Sequence, residues 1–271
     1  MRYARCLCLV FLLAALLAPA LAPGRSLQPD VGSSITQSEL FAYLFTAPQP
    51  RDWLRYRITS AGDTMIMKTV GFGQAQVHND VQAYIEITAA SQPILRSPTM
   101  QSTNVGGMVV WKMFVDARDF VDPQRTYSIT SSAFKIGDGI FRLRNASMLG
   151  VPTQRVPLQT LLWSGLVPID DSRQGTVSKN QPQDLSVQGQ IIHCVDVAVD
   201  FPESALPGGG RFPAERIEAW QSPDVPLGTV KVRTIVLDET YDANLVAFGR
   251  GDYRSIINQS LDVLAPFPGS K

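Results

Sequence analysis

Residues 215–237 read Glu-Arg-Ile-Glu-Ala-Trp, then Gln-Ser-Pro-Asp-Val-Pro-Leu-Gly, then Thr-Val-Lys-Val-Arg-Thr-Ile-Val-Leu. The last block alternates, with Val230, Val232, Thr234 and Val236 on one face of a strand and Lys231, Arg233, Ile235 and Leu237 on the other. Pro223, Pro226 and Gly228 fix or free the backbone between the blocks, so one strand ends and the chain is re-aimed into the next. Trp220 closes the first strand and is large enough to anchor the turn against a sheet. The stretch therefore reads as strand, rigid connection, strand.

The same period extends outward in both directions. Val195, Val197, Val199 and Phe201 alternate with Asp196 and Asp200, and Val81, Ala83, Ile85, Ile87 and Ala89 alternate with Gln82, Tyr84, Glu86 and Thr88. Strands are also expected over 53–58, 64–70, 108–115, 127–136, 140–144 and 244–248, with Gly137-Asp138-Gly139 as a hairpin turn. Residues 170–184 are polar and read as a surface loop. Three stretches read differently. Thr36 or Ser38 caps a short helix over 39–45, in which Leu40, Phe41, Leu44 and Phe45 fall at helical spacing. Pro157 opens a second apolar helix through Trp163, and residues 254–264 form a short terminal helix or strand. Alternating β-α-β periodicity is absent. The expected fold is mainly β (α+β): about nine or ten strands in a large curved antiparallel sheet or half-barrel, with two or three short covering helices.

The N-terminal 22 residues have the pattern of a secretory signal peptide. Arg2 and Arg5 precede an apolar run from Cys6 to Leu17, and Ala20-Leu21-Ala22 fits the small-x-small cleavage rule. Residues 23–37 are a loose lead-in, and 38–271 are expected to form a single β-rich domain. The apolar run is short of the ~20 residues of a membrane span, and no transmembrane segment is expected in the mature chain. Without residues 1–22 the chain carries 22 basic and 24 acidic residues, a net of −2, which excludes a global basic field for nucleic acid. Cys194 is the one cysteine left, so no internal disulfide forms. A signal peptide followed by a nearly cysteine-free chain suits a bacterial periplasm or exterior.

Catalytic signatures are sparse. His193 and Cys194 are adjacent on a strand and point to opposite faces, so they do not form a nucleophilic pair; His78 is remote in sequence. Two histidines and one cysteine at scattered positions do not supply a zinc site. Asp116, Asp119 and Asp122 recur every third residue without calcium-loop spacing. No metal and no cofactor is expected. Glu86, Asp196, Asp200 and Glu218 are candidate carboxylates for a hydrolase of envelope polymers, and Asp196 and Asp200 share a strand face four residues apart. Gly71-Phe72-Gly73 lacks the rest of a nucleotide fingerprint, and Arg250-Gly251-Asp252 reads as a polar turn.

A sheet with apolar helices beside it resembles the periplasmic lipoprotein-carrier fold (LolA-like and LolB-like), an open half-barrel lidded by helices. The residues that carry the resemblance run from Glu218-Ala-Trp220 through Ser222-Pro223 and Val225-Pro226-Leu227-Gly228 into a late strand. It implies a non-enzymatic exported protein that binds a hydrophobic ligand or lipoprotein. The apolar lid would comprise Phe41, Leu44, Phe45, Leu158, Leu162 and Trp163. The alternative is an envelope interaction module with a filled core and a protein partner.

Overall fold

The computed structural model describes residues 29–60, 63–77, 80–91, 108–115, 126–127, 129–143, 156–157, 173–205 and 211–266. Its first half contains β1 (Ser34–Ile35), α1 (Gln37–Ala42), β2 (Trp53–Ser60), β3 (Asp63–Val77), β4 (Asp80–Ser91), β5 (Met108–Val115), β6 (Thr126–Tyr127), β7 (Ile129–Ile136), β8 (Gly139–Leu143) and β9 (Val156–Pro157). Then follow β10 (Gly175–Val187), β11 (Gln190–Phe201), β12 (Ser204–Ala205), β13 (Arg211–Phe212), β14 (Glu215–Gln221), β15 (Thr229–Val236), β16 (Glu239–Gly249), a single 3₁₀ turn (Leu261–Val263) and β17 (Ala265–Pro266). The fold is mainly β.

Thirteen strands make one sheet in the order β1-β10-β11-β14-β15-β16-β2-β3-β4-β5-β7-β8-β17. It is two antiparallel meanders, an early one from β2 to β8 and a late one from β10 to β16. They are joined where β16 pairs with β2, Leu245 opposite Tyr56 and Ala243 opposite Ile58. Among the described residues every pairing is antiparallel except that of β17 with β8. The quoted stretch folds as read: β14 and β15 are neighbours, with Ile217 opposite Thr234 and Ala219 opposite Val232.

One face of this sheet forms a continuous core. Leu54, Val70, Ile85, Met113, Val197, Val199, Ile217 and Ala219 all lie on it and are solvent-inaccessible. Helix α1 lies against this face and adds Leu40 and Phe41, both at 0% exposure. The helix starts where a full capping box holds it: Thr36 Oγ1 accepts from the Glu39 amide, and Glu39 Oε2 accepts from the Thr36 amide. The Pro-Gly connection after β14 packs on the residues following the helix. Leu227 donates its amide to Thr46 O at 2.8 Å, and a Cβ at Gly228 would meet Leu44 O at 1.9 Å. Gly228 is thus fixed both by its φ of +78° and by a backbone that passes too close for any side chain.

Two expectations are corrected. The polar stretch 170–184 is not a loop beyond its start, because β10 runs through it and pairs with β11 from Thr176 to Val187. Val177 and Val187 face the core while the residues between are largely exposed, so the strand carries little apolar signal. Pro182 is tolerated because β1 pairs only with Gly175 and Thr176, which leaves the rest of that edge without a ladder to break. The last long strand is also longer than 244–248, since β16 begins at Glu239 directly after the turn at Leu237 and Asp238. Among the described residues the helical elements are α1 and the one 3₁₀ turn, at two of the three places where helix was expected. The helix expected from Pro157 and the signal peptide lie outside the described residues.

Candidate ligand groove and the strap beside it

The opposite face, the back face, has two unlike halves. Over β11, β14, β15 and β16 it carries a cross-strand ladder of charges. Asp200 receives two bonds from Arg216 at 2.8 and 3.0 Å, Arg216 Nε donates to Glu218 at 3.0 Å, and Arg233 Nε donates to Asp242 at 2.9 Å. Lys231 sits 4.5 Å from the centre of the Trp220 ring, whose Nε1 donates to Gln183. Asp196 is fully buried against Lys179.

Over β3, β4 and β5 the back face is covered by the chain's own C-terminal segment, residues 250–266, which forms a strap. Ile257, Leu261 and Leu264 of the strap pack with Val77, Tyr84, Val110, Phe114 and Ala133 in a second apolar cluster. Glu86 is at the centre, wholly buried, with four donors. Oε1 accepts from Tyr253 OH at 2.6 Å and the Ile256 amide at 2.7 Å; Oε2 accepts from Ser255 Oγ at 2.7 Å and the Ile257 amide at 3.1 Å. Its cross-strand neighbour Lys112 donates to Ile257 O at 2.7 Å and to Ser255 Oγ at 2.9 Å, and lies 3.9 Å from the Tyr84 ring centre. Burial pulls the Lys112 ammonium below its ordinary pKa, and Glu86 opposes that. Burial and then Glu86 push the Tyr253 hydroxyl far above the ordinary tyrosine value, so it stays protonated and donates.

Gly71 and Gly73 make room for this seat. A Cβ on Gly71 would lie 2.0 Å from the Tyr253 ring, and one on Gly73 would lie 2.3 Å from Tyr84. The Gly-Phe-Gly motif is thus a floor for two tyrosines. Arg250-Gly251-Asp252 is the turn feeding the strap: Gly251 has φ +73° and Asp252 Oδ1 accepts from Trp53 Nε1 at 2.7 Å.

Beside the strap lies an open groove of about 630 Å³. Met67, Ala90, Met108, Trp53, Tyr253 and Ile256 line it, together with the charged side chains of Arg55, Arg254 and Asp252. Met108 and Ile256 are 41% and 37% exposed, so the groove presents large apolar side chains to solvent. A second groove, about 730 Å³, lies by Asp200, Glu203, Arg211 and Arg216. Three of its acids are held by arginines, Asp200 by Arg216 and Glu203 by Arg211, both at 2.8 Å, and Glu215 by Arg173 at 3.1 Å.

The sequence-expected lid residues fall elsewhere. Phe41 is in the core, and Leu44 and Phe45 are partly buried against it. Leu158, Leu162 and Trp163 lie outside the described residues. The candidate carboxylates are not brought to one cleft: Glu86 is under the strap, and Asp196 does not line the groove that Asp200 does. Cys194 is buried, with its thiol pushed up to about 12 by burial, and is therefore unreactive. Exposed His193 bonds Asp184 at 2.7 Å across β10 and β11. His78, Asp116, Asp119 and Asp122 lie outside the described residues. Among the described residues no cluster of three metal-ligating side chains occurs, and no helix is long and apolar enough to cross a membrane.

No family model and no curated protein matches the chain. A solved structure of a hypothetical protein from Chlamydia trachomatis aligns with a TM-score of 0.39 at 12% identity, covering 82% of this chain and 96% of that one.

Proposed function

We propose that the protein is an exported, non-enzymatic binding protein for a hydrophobic ligand, and that the groove beside the strap receives it. The observation that carries this reading is an open groove lined by several large apolar side chains, of which Met108 and Ile256 are solvent-facing. Exposed apolar surface gathered in a concavity, with a few polar groups at one side, is the general form of a small-molecule site. Its volume of about 630 Å³ is within the usual span for such sites and suits one apolar chain better than a multiply acylated lipoprotein. The acidic and phenolic groups around it are engaged in structure: Asp252 holds Trp53, and Tyr253 holds Glu86. The resemblance to lipoprotein carriers points to the same ligand class, but α1 packs on the other face, so the site proposed here is a different one.

The test is titration of the purified protein with N-phenyl-1-naphthylamine, an uncharged apolar probe. Saturable, one-site uptake is expected, abolished by Met108→Glu in protein that retains the wild-type unfolding midpoint. Absence of saturable uptake by the folded wild type would overturn the reading.

A further inference from the structure

We infer that the ligand of this groove is a single-chain fatty carboxylate, its headgroup held by Arg55 and Arg254. The inference rests on the reading above and adds the chemistry of the head. Two arginines and one aspartate line the groove, a net of +1. In the late half of the sheet Arg173, Arg211, Arg216 and Arg233 each hold a carboxylate. Arg55 and Arg254 hold none among the described residues, while the nearby carboxylate of Asp252 accepts from Trp53 Nε1.

Arg55 is also positioned in advance. Its Nε donates to Thr69 Oγ1 at 3.2 Å, and its guanidinium stacks 5.4 Å from the Trp53 ring centre. Those two contacts fix the plane of the fork while engaging only Nε, which leaves the terminal nitrogens for a planar anion. Trp53 is fixed in turn by Asp252, so aromatic ring, arginine and aspartate form one braced unit in the lining of the groove. A groove lined by large apolar side chains and by two arginines that hold no carboxylate complements an amphiphile with an anionic head. A net of +1 favours a monoanionic carboxylate over a dianionic phosphate monoester.

The experiment is displacement of N-phenyl-1-naphthylamine from the full mature protein by hexadecanoate, hexadecan-1-ol and a single-chain phosphate monoester, all below their micelle thresholds. Hexadecanoate is expected to displace the probe at a concentration about tenfold lower than the alcohol, the scale of one charge-assisted hydrogen bond. The advantage should shrink with added salt and vanish in the Arg55→Gln, Arg254→Gln double variant, with alcohol displacement unchanged. Arg57→Gln, an exposed arginine on the same face of β2 but outside the groove, should keep the preference. Equal displacement by acid and alcohol would overturn the headgroup assignment while leaving the groove a binding site. A phosphate monoester binding more tightly than the acid would overturn the carboxylate. Failure of the neutral probe to bind the wild type would remove the underlying reading instead.

Discussion

The two halves of the back face use charge in opposite ways. On β11 to β16, the buried Asp196 apart, the charged side chains of Asp200, Arg216, Arg233 and Asp242 lie in part-exposed cross-strand pairs, where solvent and salt screen each interaction and a median pair contributes ~0–1 kcal/mol. On β3 to β5 one carboxylate and one ammonium are buried under a strap that supplies every hydrogen bond they make there. The first half can lose a charge and keep its shape. The second depends on each member, because removing one leaves buried donors or a buried charge without a partner. The groove lies at the boundary of the strapped half, walled by Tyr253, Arg254 and Ile256, so its shape depends on that buried network.

The largest expected effect follows directly. Glu86→Ala orphans the Ile256 and Ile257 amides and leaves Lys112 with no nearby carboxylate; it should destabilise by ~3–5 kcal/mol in urea unfolding. Hydrogen exchange should show both amides losing protection. An effect below that of a ladder variant would break the contrast between the halves.

Lys68, on the core face of β3, sharpens the contrast through pH. Burial lowers its pKa to about 8, and it is 8% exposed. The folded pKa lies below the unfolded value of 10.5, so between the two the unfolded chain binds more protons. Stability should therefore rise as pH increases from about 8 to about 10.5, by up to about 3 kcal/mol from this group. The slope in that window should be absent in Lys68→Met; an equal slope in both proteins would refute the assignment.

Gly71→Ala places a Cβ 2.0 Å from the Tyr253 ring and should destabilise by ~1–3 kcal/mol. It should also disturb probe binding, since Tyr253 walls the groove. Arg233→Ala, in the open ladder, should shift stability by ~1 kcal/mol or less, and less again in high salt. The smallest effect is local: Asp184 raises the His193 pKa above its ordinary value through a hydrogen bond and charge, and Asp184→Asn should lower the NMR titration midpoint. An unchanged midpoint would show that the pair does not form in solution.

Much of the sheet was legible because apolar and polar residues alternate wherever one face is core and the other is not. That is true of β14, β15 and β11, whereas β4 alternates although the strap buries its second face as well. β10 was missed because, as an edge strand, it buries few side chains. The site was not legible from local pattern. Glu86 looked like any polar residue on a wet face, and its donors are about 170 residues away in a segment with no clear period. Gly71 and Gly73 did carry a signal, since two glycines on one face of a long strand mark close approach of something large. The apolar run at Phe41 was correctly read as lying on the sheet, but its side chains fill the core.

Photolabelling with a hexadecanoate analogue that carries a diazirine in its chain, followed by peptide mapping, tests the central claim most directly. The account predicts adducts at the groove, on peptides containing Met67, Met108 or Ile256, competed by hexadecanoate. Competed adducts confined to peptides 37–46 or 158–163 would contradict it.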